Sequence, residues 1–191
     1  MKARFSRAEN SVVLHNTTFD ISLPPRDQVL ILGTVELMLS DTANAFLMDQ
    51  MAAGKLDYNI IARAKYDWAK RNRPQVIEFR YDLMTQLHIA EAHGDALEYH
   101  GPNTQSAIHI QSMHHCWRNI ARELQVRTFC TPDSVLRKLV TESWRLLEML
   151  GADWNAYVKM SHLQQMMLND IASHNRMRSN LQHGETRRVV D

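Results

Sequence analysis

The common signatures of enzyme chemistry are missing from this chain. It contains no glycine-rich phosphate loop, no Gly-x-Ser-x-Gly elbow, no Cys-x-x-Cys pair, no His-Glu-x-x-His and no βα alternation that would support a nucleotide fold. Such absences do not exclude catalysis. They make a binding or regulatory module the better expectation, because a module of that kind needs complementary surfaces and not reactive groups.

Cysteine is nearly missing too. Cys116 and Cys130 stand alone, and in a reducing compartment two thiols are expected as small buried apolar groups and not as a bridge. Residues 1–10 carry Lys2, Arg4 and Arg7 without the apolar stretch of a secretory signal, and no apolar run approaches the roughly 20 residues of a membrane span. These two observations predict an intracellular protein, cytoplasmic or nuclear, with no membrane partner. The acceptor-like Asn16-Thr17-Thr18 is then an accidental match. Charge of one sign is also lacking: 22 Lys and Arg face 21 Asp and Glu. Without a broad electropositive field, nucleic acid is a possible partner but not the favoured one.

What the chain does have is methionine, 11 residues of it, including Met48 with Met51 and Met160 with Met166 and Met167. Thioether side chains fill irregular core gaps and also suit surfaces that accept more than one partner. It also has helix punctuation. Gly54, Gly94, Gly101-Pro102, Thr131-Pro132 and Gly151 each close or open a segment of 3.6-residue apolar periodicity. The pattern predicts an all-α fold: one domain, a bundle of about six helices, with no internal repeat.

Residues 1–23 read as an extended arm in which Phe19, Ile21 and Leu23 alternate with polar residues. Pro24-Pro25 then starts the longest helix, about 25–53, with Gly54 as its C′ residue. Its first half, Val29 to Leu39, is apolar almost all round, which predicts a central helix buried on every side. A second, basic helix spans about 57–71, capped by Asp57; a third spans about 74–93, with Val76 and Ile77 on its apolar side. The fourth is capped by Asn103 or Thr104, with a seam of Ile110, Met113, Trp117, Ile120 and Leu124. Thr131 caps the fifth, and Asp153 the sixth, whose core side holds Trp154, Tyr157, Val158, Leu163, Met167 and Ile171. The helical domain thus covers 24–175, and 176–191 read as a polar, frayed tail.

Four sets of residues are candidates for function. Gly33, Glu36, Ser40 and Asn44 share one face of the first helix. An acid on a buried helix must be paired or hydrogen-bonded, so Glu36, Ser40 and Asn44 mark either a buried polar contact or a ligand pocket. Tyr66, Trp68, Met160, Met166 and Met167 are candidate partner contacts. The basic helix at 57–73 carries Arg63, Lys65, Lys70, Arg71 and Arg73 beside Tyr66 and Trp68, the mixture that can track phosphates and stack on bases. Finally, Glu36, His88, Glu91, Asp170 and His174 could form a carboxylate–histidine metal site in a bundle, although the Glu-x-x-His order of such sites is absent. The crowded His109, His114, His115 and Cys116 point in different directions and are expected as ordinary helix residues.

The favoured expectation is a non-enzymatic protein-interaction or regulatory module without a cofactor, whose partner is another protein or a second copy of itself. A nucleic-acid-binding transcriptional regulator and a metal-dependent bundle enzyme are the alternatives.

Overall fold

The computed structural model describes residues 20–102, 104, 106–126 and 129–188. They form six helices and, among the described residues, no strand: α1 (Pro25–Ala52), α2 (Tyr58–Lys70), α3 (Leu83–His93), α4 (Ala107–Val126), α5 (Asp133–Met149) and α6 (Trp154–Arg188). A single 3₁₀ turn, Gly94–Ala96, follows α3. Asn103, proposed as a cap, and the acceptor-like Asn16-Thr17-Thr18 lie outside the described residues, as does the arm before Asp20.

The first helix is the hub, packing against α3, α4, α5 and α6, while α2 lies outermost on α3. Ile31, Val35, Leu39, Ala43 and Leu47 are wholly enclosed. Around them the core takes Leu87 and Ala90 from α3, Trp117 and Ile120 from α4, Leu136 and Val140 from α5, and Met160, Met167 and Ile171 from α6. Of the narrow α4 seam, Met113, Trp117, Ile120 and Leu124 are buried, and Ile110 is half-buried against the core. By length and composition α1 is long and apolar enough to cross a membrane, which corrects the expectation that no such segment exists; half of the relevant stretch is buried inside this fold.

The expectation of burial on every side does not hold. Val29, Leu30 and Leu37 are 46, 56 and 63 % exposed. The inner face of α1 is enclosed, and the outer face of its first half is open.

Buried amides on α1 tie passing connections to the hub. Gln28 donates to the carbonyls of Leu23 (3.0 Å) and Thr131 (3.3 Å) and accepts from the Thr131 N–H (2.9 Å). Gln50 accepts from the Glu98 N–H and donates to the Glu98 carbonyl. Asn44 accepts from the Phe79 N–H at 2.9 Å and donates to the Glu78 carboxylate at 2.9 Å. Each satisfies backbone groups that would otherwise be buried without partners, a cost of about 1–3 kcal/mol apiece.

Helix ends depart from expectation for identifiable reasons. Residues 74–82 do not begin α3. Glu78 has φ of +58°, Phe79 and Tyr81 turn inward, and Asp82 caps α3 by accepting from the Thr85 N–H at 2.7 Å. Ile77, read as a core residue, is 76 % exposed. The start of α4 is at Ser106, whose hydroxyl accepts from His109 N–H. Thr131 does not cap α5; Pro132 occupies that position without a side-chain bond. Asp133 is buried there and binds the arm, accepting from the Ser22 N–H while its own N–H donates to the Asp20 carbonyl. In α6, Trp154 and Val158 are exposed and not core, and the helix runs on to Arg188 instead of ending near Asn175. Ile171 is its last residue in the core, so the apolar pattern stops where the neighbours stop and not where the helix stops.

Helices α1 and α5 end in the same way, at Gly54 (φ +72°) and Gly151 (φ +69°). In each case the next residue's N–H returns to a carbonyl five residues earlier, Lys55 to Gln50 and Ala152 to Leu147, the closure that favours glycine. They differ in surroundings. A Cβ on Gly54 would meet nothing, whereas one on Gly151 would lie 2.4 Å from the His100 ring. Gly54→Ala should cost about 1–2 kcal/mol from the left-handed backbone alone. Gly151→Ala should cost distinctly more in urea denaturation, and His100→Ala in that background should return most of the difference.

Candidate functional site

The open half of α1 is the feature of the surface that the fold does not use. Pro25 presets the first turn, and the run Val29–Leu39 supplies more apolar surface than one helix face can bury. Residues 29, 30, 33 and 37 recur at helical spacing and share a face, about 12 Å long at 1.5 Å per residue. Gly33 sits at its centre, and no atom lies within 4 Å of the place a Cβ would take. Exposed Arg26 and Asp41 stand at the two ends, with Asp41 accepting from Arg80 at 2.9 Å.

The three polar residues of the stripe stand in different surroundings. Glu36 is only half-buried, not the enclosed acid expected, because it borders the open face. The Ser40 carbonyl accepts from the Gln86 side chain at 3.0 Å. Asn44 alone is buried, and both of its polar atoms are taken by Glu78 and Phe79. None of the three lines the grooves between α4 and α5, between α2 and α3, or between α1 and α2.

Most of the expected partner contacts are core. Met160 and Met167 are 0 and 1 % exposed. Trp68 is buried as the bolt that holds α2: its Nε1 donates to the Pro74 carbonyl at 2.7 Å and its ring meets Tyr81 edge-on at 5.2 Å. Met166 is half-buried against the core. Tyr66 alone of the five stands well exposed. Signals at the level of residue type cannot separate a core methionine from a surface one; the period-3.6 position can, and the inward register of Met160, Leu163, Met167 and Ile171 is visible in it.

The basic helix is less free than its composition suggests. Arg73 lies over the Trp68 ring, 5.7 Å from its centroid, and Arg63 pairs loosely with Asp67 at 4.0 Å. Lys65 and Tyr58 border an apolar groove with Met48, Met51, Ile61 and Phe79, while Arg63 and Arg71 border another with His88. Lys70 faces outward. The cations are therefore divided among faces and do not form one track.

The metal constellation is not assembled. Helix α3 packs on α1, α2 and α4, whereas α6 packs on α1 and α5. Glu91 forms an ion pair with Arg118 of α4, and His174 bonds the Asp170 carbonyl one turn earlier on its own helix. Among the described residues no three His, Cys, Asp or Glu side chains gather as metal ligands.

One buried titratable pair escaped notice in the sequence. Tyr99, stacked on Phe46, shares a 2.7 Å hydrogen bond with His114 Nε2. Burial raises the tyrosine and lowers the histidine, the latter partly opposed by Glu91. Cys116 is pushed up to about 11, first by burial and then by Glu142, so its thiol is an inert, protonated group. Cys130 is exposed, contrary to the expectation for both thiols.

His114 has a definite consequence for stability. A histidine kept neutral in the fold binds its proton more readily when unfolded, so its contribution is complete above the unfolded value of about 6.5 and is lost as pH falls through and below it. Denaturation midpoints of the natural chain should fall between neutral pH and about pH 5 more steeply than those of His114→Gln. No family model, no curated protein and no solved structure matches the chain.

Proposed function

We propose that the protein is a non-enzymatic helical interaction module that self-associates through the outer face of α1. The observation that carries this reading is the exposed set Val29, Leu30 and Leu37 around the open Gly33. Scattered surface hydrophobes need no explanation, but a contiguous stripe on an otherwise core helix is what a contact surface requires.

The stripe is complementary to itself. In an antiparallel pair centred on Gly33, positions that sum to 66 face one another. Val29 of one copy then meets Leu37 of the other, twice over, as a two-fold axis demands. Arg26 of each copy lies opposite Ser40 and beside Asp41, giving charge complementarity at both ends. Gly33, at the crossing, lets the axes approach more closely than the 8–10 Å usual for packed helices. One helix face falls short of the roughly 800 Å² per partner of a standard interface, so the association is weak and concentration-dependent.

Sedimentation velocity over a series reaching high micromolar protein should show a monomer–dimer equilibrium. Leu30→Glu combined with Leu37→Glu should leave the protein monomeric throughout, with a denaturation midpoint little changed because both sites are exposed. A natural chain that stays monomeric over the whole series, or a double variant that dimerises equally well, removes the proposal.

A further inference from the structure

The groove between α2 and α3 has a built chemical character that the self-association reading does not use. Four residues of α2, Ile60, Arg63, Ala64 and Asp67, and its C-cap Arg71 line a cavity of about 270 Å³ together with Thr85, His88, Ile89 and Ala92 of α3. It is the right scale for a small organic molecule and too small for a folded peptide element.

Its two ends differ. Ile60, Ala64, Ile89 and Ala92 supply its apolar lining, with Ile89 buried, Ile60 and Ala64 half-buried and Ala92 exposed. At the rim stand Arg63, Arg71 and His88, with Asp67 as the single acid of the lining. Arg63 is the cation within 4.0 Å of that acid. Arg71 has no ion pair among the described residues, so the rim keeps a positive charge without a partner.

A second observation points the same way. Thr85 is 5 % exposed, and its hydroxyl is buried with no hydrogen-bond partner. A buried hydroxyl without a partner is costly. Thr85 is among the residues that line the groove, and threonine in a helix divides between two χ1 rotamers, so rotation carries the hydroxyl away from its enclosed position. An acceptor lodged in the groove would give that hydroxyl the partner it lacks.

We infer that the α2–α3 groove is a binding site for a small monocarboxylate with a short aliphatic or aromatic body. The apolar body lies along Ala64, Ile89 and Ala92. The carboxylate is held by the Arg71 guanidinium, which suits it in a planar, bidentate way, with His88 and the Thr85 hydroxyl completing its hydrogen bonds. A neutral molecule of the same shape fills the floor and leaves the rim as it was, so selection rests on charge.

Hexanoate and its neutral counterpart hexan-1-ol, titrated into the full chain and followed by methyl NMR, test this. Hexanoate should shift the methyls of Ala64, Thr85, Ile89 and Ala92 saturably, with a changed χ1 coupling at Thr85, and bind at least tenfold more tightly than the alcohol. Arg71→Gln should weaken hexanoate at least tenfold, whereas Lys70→Gln, which removes the same charge from the outer face of α2, should have little effect. Thr85→Val should weaken binding while leaving the unfolding midpoint equal or higher, because the variant removes an unpartnered hydroxyl; that combination separates a binding role from a packing role. Absence of saturable shifts, equal binding of the alcohol, or equal losses from the Arg71 and Lys70 variants would overturn the assignment.

Discussion

Everything in this fold follows from the difficulty of enclosing one long apolar helix. A helix needs about six neighbours at the 8–10 Å spacing of packed helices to be covered on all sides. Here α1 has four, α3, α4, α5 and α6. They suffice for the face bearing Ile31, Val35, Leu39, Ala43, Phe46 and Leu47. In the second half of α1, residues 74–82 and the edge of α2 extend the cover, with Met48 packed against the core. Among the described residues nothing comparable reaches Val29, Leu30 and Leu37, and that asymmetry is the origin of the open stripe.

The same scarcity of neighbours explains the buried amides. A connection that crosses the hub brings backbone N–H and C=O groups into a dry region, where they need partners. Gln28, Asn44 and Gln50 supply them at the approaches to α5, α3 and α4 respectively. A glutamine or asparagine side chain offers one acceptor and two donor hydrogens and so can satisfy both kinds of backbone group at once. These residues lie on different faces of α1, each where a connection passes. They act as fasteners, and Asn44 holds Glu78 and Phe79 against α1 with one donated and one accepted bond.

The sequence made some of this legible and hid the rest for physical reasons. Periodicity and glycine stops located α1, α2, α4 and α5 closely, since helix ends must satisfy orphan carbonyls and Gly54 and Gly151 do so through the left-handed turn. It misplaced the start of α3, because Val76 and Ile77 fit a helical period while Asn44, distant in the chain, pins the backbone at Phe79 in another shape. It offered Trp68 and Met160 as contacts although both are core, and gave Met167 both a core side and a contact role, since side-chain chemistry alone does not report which way a residue faces. It assembled a metal site from pairs on helices that the topology keeps apart, with Glu91 already committed to Arg118. The α2–α3 groove drew Arg63 and Arg71 from one hypothesis and His88 from another. Only the packing of two helices could put them on one rim.

The open face of α1 carries apolar surface that the core does not need. Fully burying a leucine or valine is worth about 1.5–3 kcal/mol, and Val29, Leu30 and Leu37 have each buried only about half of that surface. The fold therefore gains little from their being apolar, and polar residues there would leave the enclosed face intact. Two copies that bury the remainder recover roughly 1 kcal/mol for each of six side chains. Set against an association cost of at least about 4 kcal/mol, the surplus is small, and a second contribution decides whether it persists. The end charges provide one: Arg26 and Asp41 are both at the surface, where an ion pair adds at most about 1 kcal/mol and is screened by salt. An interface so balanced, formed as proposed, would be governed by protein concentration and ionic strength.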